Sequence, residues 1–227
     1  MNILKNTIIT CVLAIFLSYI SCGIINLRQV KAEKGIIKKA IAAFPKSKSS
    51  KIYCSVMLVY MIALSIVITN LYSDNICEYA KSVALASLMW PMAQIDHKFM
   101  RIPNKLIVLG LIYRYYIFVF ELIYYRDGLL STVISELIGA LAIFIVLMLI
   151  SLIIKNGIGM GDVKFLMLMG LMLGMYRLAA TVFVIMIIAF FVSLYKLIIK
   201  KVDKKSEFAF GPLIAIGSAI SFIIFGN

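Results

Sequence analysis

Among the ten carboxylates of this 227-residue chain, two stand where a long apolar run meets a short polar segment. Asp162 lies in Lys155-Asn156-Gly157-Ile158-Gly159-Met160-Gly161-Asp162-Val163-Lys164, a polar island between two strongly apolar stretches. A charge buried in a bilayer costs about 3 kcal/mol on insertion scales, so a carboxylate in such a place marks a functional site by default. Glycines at 157, 159 and 161 argue against a stable helix before Asp162 and let substrate or another chain segment come close. Asp96 ends a separate apolar run. Two carboxylates that meet in a partly desolvated site cannot both ionise cheaply, so they share a proton. One can then act as base on a water while the other acts as acid toward a carbonyl oxygen, which is the chemistry of aspartyl proteolysis.

Competing chemistries fit less well. A Walker loop needs Gly-Lys-Ser/Thr, and a dinucleotide loop needs a third glycine where Asp162 stands. The single histidine, His97, would point about 100° from Asp96 on a continuing helix, and Cys11, Cys22, Cys54 and Cys77 form no CxxC pair. No metal and no other cofactor is expected, and the cysteines read as small buried hydrophobes. Glu136 reads as a helix-packing residue. Arg114 and Glu121 share a helix face inside one apolar run, so either both line an interior or that helix has a wetter outer half. A proton- or ion-coupled carrier is the alternative function, because carboxylates at helix breaks also bind ions. Carriers place them near the midplane and often in duplicated halves, whereas here both fall at one boundary and no duplication is visible.

The elements that must position Asp96 and Asp162 follow from composition. Hydrophobic residues make up 63% and charged residues 15% of the chain, with mean hydropathy +1.06. Soluble domains carry about 25% charge, so this is an all-α membrane protein. Apolar runs fall at 8–25, 53–71, 83–95, 106–123, 129–154, 165–175, 178–199 and 208–225, which predicts a polytopic bundle of about eight transmembrane helices. The first run is read as a retained helix rather than a cleaved signal, and the run at 165–175 as short, tilted or half-spanning. Segment 28–51 carries eight Lys or Arg against Glu33 alone and is read as a cytoplasmic loop. Within it, 35–44 can lie as a short amphipathic helix on membrane lipid or remain a solvated loop. With each run crossing once, 18 of the 23 Lys and Arg residues fall on the cytoplasmic side, both termini fall outside, and Asp96 and Asp162 share the cytoplasmic face. The net charge of +13 is thus a topology signal, and no nucleic-acid partner is expected.

Three stretches together resemble one family. Gly159-Met160-Gly161-Asp162 with Val163-Lys164 resembles the GxGD signature of the type IV prepilin peptidases, which are membrane aspartyl proteases. Ile95-Asp96 followed by Arg101-Ile102-Pro103-Asn104-Lys105-Leu106 is similar to the family's other catalytic stretch. Phe210-Gly211-Pro212 resembles its Pro-Phe-Gly-Pro, with Ala209 in place of the first proline. The resemblance runs from about Val83 onward. It implies a peptidase membrane domain over 83–227, preceded by N-terminal helices and the basic loop in 1–82. It implies Asp96 and Asp162 as the catalytic pair and a backbone kept open by Gly159 and Gly161. It also implies a substrate-holding or charge-tuning Lys164, a loop end and helix start at Pro103 and Asn104, and supporting roles for Gly211 and Pro212. The implied reaction is removal of short basic leaders from prepilin or pilin-like precursors at the cytoplasmic side of the plasma membrane. Many members carry paired CxxC motifs near the N-terminus; 28–51 has no cysteine, so zinc is not expected and N-methyltransferase activity is not implied.

Overall fold

A computed structural model describes residues 12, 59–60, 62–70, 75–124, 126, 128–153, 159–199 and 209–225. The run at 8–25 apart from residue 12, the basic loop 28–51 with its amphipathic piece, and Cys11, Cys22 and Cys54 lie outside the described residues. Among the described residues every regular element is helical: residues 62–70, then α1 (Ile76–Phe99), α2 (Asn104–Tyr124), α3 (Leu129–Ile153), α4 (Met160–Ile198) and α5 (Gly211–Phe225). Residues 104–124, 129–153 and 160–195 are long and apolar enough to cross a membrane. Their outward faces carry large apolar side chains such as Tyr116, Ile123, Leu152, Phe183 and Phe190, as lipid contact requires.

The helix that ends at Asp96 begins two turns before its apolar run. Asn75 caps α1 by accepting from the Cys77 and Glu78 amides, and Glu78 sits in the first turn. The division at 82/83 therefore runs through α1. Cys77 is buried, in keeping with a small hydrophobe. At the other end Met100 takes the left-handed conformation (φ 49°) and returns its amide to the Asp96 carbonyl at 2.8 Å, which stops α1 three residues past Asp96.

The span 160–198 is not one rod. A straight helix of that length would run about 58 Å, nearly twice a hydrocarbon core of about 30 Å. It breaks at Gly174, whose φ of 73° and ψ of 176° are open to glycine and strained for other residues. The groups freed by the break find partners on neighbouring helices: the Met175 amide donates to Ser135 Oγ at 3.1 Å, and the Leu171 carbonyl accepts from Arg114 Nε at 3.0 Å. The direction reverses there. Before the break, positions 168 and 171 meet residues 110 and 114 of α2 in ascending order. After it, Thr181 meets Ser221 and Ile185 meets Gly217, descending α5. The short run at 165–175 is thus the rising leg of a hairpin, and 178–199 is its return.

Close contact of α3 with α4 rests on small residues. A Cβ at Gly170 would lie 2.7 Å from the Ala140 amide nitrogen, and one at Gly139 would lie 3.0 Å from the Met175 nitrogen. Both obstacles are backbone, which cannot swing aside. Gly170→Ala is expected to separate the helices and to cost about 1–3 kcal/mol, read as a lowered unfolding temperature in detergent micelles. Around this seam the core is filled by Leu85, Leu88, Met89 and Met92 of α1 with Phe165, Met169 and Met172 of α4, all fully buried. Methionine suits such a place because its flexible thioether fills irregular gaps.

Candidate active site

The ends of α1, α4 and α5 converge. Asp96, in the last turn of α1, is buried, and its Oδ2 accepts the Gly211 amide at 2.7 Å. Neighbouring His97 is exposed, as its rotation along the helix predicts. Gly211 opens α5, where the first amides have no acceptor within their own helix. A Cβ at 211 would stand 2.7 Å from Asp96 Cβ, 3.0 Å from Asp96 Oδ2 and 3.0 Å from Met92 Sδ, so only glycine lets the backbone approach the carboxylate this closely.

Asp162 belongs to the first turn of α4, with its amide bonded to the Gly159 carbonyl at 3.0 Å. From Gly159 onward the glycine stretch is therefore more regular than its composition predicts. Gly159 is the extended residue before the helix (φ −69°, ψ 134°), whereas Gly161 is helical. Space, rather than backbone freedom, explains both. A Cβ at 159 would lie 3.1 Å from Asp162 Oδ2, and one at 161 would lie 2.9 Å from Ile102 Cβ in the loop that follows Asp96. Gly161 thus brings Asp162 up against the Asp96 loop, close enough for the two carboxylates to act on each other electrostatically. Asp162 Oδ1 is buried and has no hydrogen-bond partner among the described residues.

The remaining residues named from the sequence surround this pair. Pro103 precedes α2, which begins at Asn104, so the proline sits one position earlier than a first-turn place; its carbonyl accepts the Leu106 amide at 3.0 Å. Lys164 Nζ donates to Asn104 Oδ1 at 3.3 Å, tying the start of α4 to the start of α2 at an exposed edge. Pro212 follows Gly211 within the first turn of α5 and has no amide to offer. Ile102 and Met92, which press against Gly161 and Gly211, carry no chemistry of their own and cannot be singled out from sequence.

With these contacts in view, comparison with known proteins is specific. Residues 83–194 match the type IV leader peptidase family. The matched segment carries Asp96, Ile102 and Asp162 together, and with Gly211 just beyond it the match covers most of the site. The chain is similar to the prepilin leader peptidase/N-methyltransferase of Bacillus subtilis (strain 168), with 30% identity over 146 residues. These residues are 64% of the chain and 56% of that relative's length. No solved structure matches the chain.

A second polar centre lies at the opposite end of the bundle, about 22 Å along α1 from Asp96. Lys81, 1% exposed, meets Glu121 Oε1 and Glu136 Oε1 at 2.7 Å each and Glu78 Oε1 at 3.1 Å. Arg114 meets Glu121 Oε2 at 3.0 Å and also bonds Glu136, and Arg177 pairs with Glu78. Among the described residues, three cations thus face three carboxylates. Arg114 and Glu121 line the interior rather than a wet outer half, and Glu136 packs the helices through its charge. Lys81 is not distinguishable in the sequence, because its partners lie up to 55 residues away. A polar cavity of about 360 Å³ opens beside the cluster, between Asn75, Ser135, Gly174 and Arg177.

Proposed function

We propose that this chain is a membrane-embedded aspartic endopeptidase that removes the short basic leader of prepilin or pilin-like precursors. The observation that carries the reading is the convergence of two carboxylates from separate helices, Asp96 and Asp162, in partly desolvated surroundings inside the segment that matches the leader peptidase family. The name of the Bacillus subtilis relative supports prepilin as the substrate class. A water held between the carboxylates gives one proton to the ionised member as its oxygen attacks the scissile carbonyl carbon. The protonated member gives its proton to the carbonyl oxygen, and a tetrahedral diol forms. Reversal of the two roles delivers a proton to the leaving nitrogen, and the C–N bond breaks. Gly159, Gly161 and Gly211 contribute bulk that is absent: Gly161 and Gly211 let the loop after Asp96 and the start of α5 pack against the aspartates, and Gly159 leaves Asp162 Oδ2 unobstructed.

The chain is read as a multi-pass protein of the plasma membrane with about eight crossings, both termini outside and the aspartates at the cytoplasmic side. The exposed residues Arg101, Lys105 and Lys164 at the aspartate end support that side, since cytoplasmic connections collect Lys and Arg. Lys164 and Asn104 sit at the rim, where they are read as contacts for the incoming leader.

Membranes containing the chain, incubated with a pilin-like precursor whose basic leader ends in glycine before an apolar helix, are expected to yield the shortened product, with the new N-terminus fixed by mass spectrometry. Failure of wild-type membranes to shorten any such precursor overturns the proposal. Proton or cation flux in liposomes that depends on Asp96 and Asp162, without cleavage, favours the carrier instead.

A further inference from the structure

Resting on the aspartic reading, the geometry points to a fixed division of labour in the dyad: Asp96 is the resting carboxylate that takes the proton from water, and Asp162 carries the shared proton and delivers it to the substrate carbonyl. The two aspartates have unequal hydrogen-bond surroundings. Asp96 Oδ2 accepts the Gly211 amide at 2.7 Å, at the positive end of α5. A carboxylate that accepts a backbone N–H is favoured in its charged form, and a helix N-terminus adds to this. The first turn of α5 concentrates this effect on one atom. Pro212 has no amide, and the Leu213 and Ile214 amides both turn back to the Phe210 carbonyl at 3.0 and 3.1 Å. Gly211 N–H is thus the first-turn amide available to Asp96. Its approach cannot be relaxed from the other side, because Met92 and Asp96 already crowd the place of a Cβ.

Asp162 differs at its second oxygen. It too lies in the first turn of a helix, and its carboxylate accepts a backbone hydrogen bond from Gly159 at the start of that helix. Its Oδ1, however, is buried with no donor among the described residues. The ammonium of Lys164 is engaged by Asn104. An ionised Asp162 would leave a buried, unpartnered carboxylate oxygen while facing a second negative charge on Asp96. A proton on Oδ1 removes the buried charge and its repulsion from Asp96, and converts the orphan acceptor into an O–H donor. When substrate enters, its carbonyl oxygen is the acceptor that this donor lacks. The protons balance: water gives one to Asp96, Asp162 gives one to the carbonyl oxygen, and the collapse of the diol returns the pair to its starting state.

The test pairs two asparagine variants with infrared spectroscopy of the full chain in nanodiscs at neutral pH. Wild type is expected to show a protonated-carboxyl C=O band that is lost in Asp162→Asn and kept in Asp96→Asn. The side-chain amide of the Asp162→Asn variant still offers N–H groups to the carbonyl oxygen, whereas the Asp96→Asn variant has lost its base. Residual cleavage is therefore expected to be at least about tenfold higher in Asp162→Asn. A band lost with Asp96→Asn instead, no band in wild type, or residual activities that are equal or reversed overturn the assignment while leaving the aspartic reading standing. Wild-type rates in both variants sink the aspartic reading itself. Should either asparagine variant lose the wild-type amide-I envelope, Asp162→Glu and Asp96→Glu replace the pair. The band is then expected to shift only with Asp162→Glu, and a shift with Asp96→Glu alone overturns the assignment.

Discussion

Cleavage of a pilin-like precursor is expected to fall by about 10²–10⁴-fold in kcat in either Asp96→Ala or Asp162→Ala, the range that a general acid or base contributes to a proton-transfer step. The two losses should not multiply. Each carboxylate works only in concert with the other, so the double variant is expected to be no slower than the weaker single one. KM should change by no more than a few-fold, because neither carboxyl is placed to hold the long apolar helix that follows the cut. The structural side effects differ. Asp96→Ala strips the Gly211 amide of its acceptor at the start of α5, whereas Asp162→Ala removes a carboxyl whose Oδ1 has no partner among the described residues. Asp162→Ala is therefore expected to leave the unfolding temperature near wild type or raise it slightly, while Asp96→Ala lowers it. Single-turnover cleavage with purified protein, alongside thermal unfolding, separates these effects. A variant of either aspartate that cleaves within tenfold of wild type would remove that residue from the proposed mechanism.

What can be read from the sequence is what interrupts hydropathy in a telling place. Asp96 and Asp162 are legible because each closes or opens an apolar run, and charge asymmetry of the connections puts them at one end of the bundle. The structure brings them together there. The glycine stretch is legible as special, but for the wrong reason. Its alternating glycines suggest a backbone that avoids helix, whereas α4 begins at Met160 and Gly161 is helical, because what the fold needs at 159 and 161 is the missing Cβ. That steric need depends on Ile102, 59 positions before Gly161 in sequence, and no local pattern announces it. The start of α1 is hidden for the opposite reason. Glu78 and Lys81 lower the hydropathy of its first two turns, and nothing nearby reveals that, beyond pairing with each other, they meet Glu121, Glu136 and Arg177 of other helices. Gly174 is equally silent among its leucine and methionine neighbours, since its role rests on the Ser135 hydroxyl and Arg114 guanidinium that take up the freed backbone groups.

Disruption of the charge cluster is expected to have the largest effect on stability. Lys81→Met leaves Glu78, Glu121 and Glu136 facing one another with one cation removed from a balanced set of six charges. Deleting one partner of a buried ion pair costs about 3–5 kcal/mol, because the charge left behind remains desolvated. For a chain of this size that corresponds to a fall in unfolding temperature on the order of 10 °C. Arg114→Met is expected to cost at least as much, since the same guanidinium also caps the Leu171 carbonyl at the Gly174 break. Charge balance and backbone satisfaction can be separated. The double variant Arg114→Met/Glu121→Leu leaves Lys81 with Glu136 and Arg177 with Glu78, a neutral set, but still orphans the Leu171 carbonyl. It should recover most, though not all, of the loss. Because the cluster lies about 22 Å from Asp96 along α1, kcat measured well below the unfolding temperature should stay within a few-fold of wild type in all three variants. Unfolding temperatures equal to wild type in Lys81→Met would show that the lysine can leave its carboxylates at no cost, and so that water reaches the cluster through the cavity beside it. A large loss of kcat in a variant that remains folded would instead mean that the far end of the bundle sets the geometry of the aspartates.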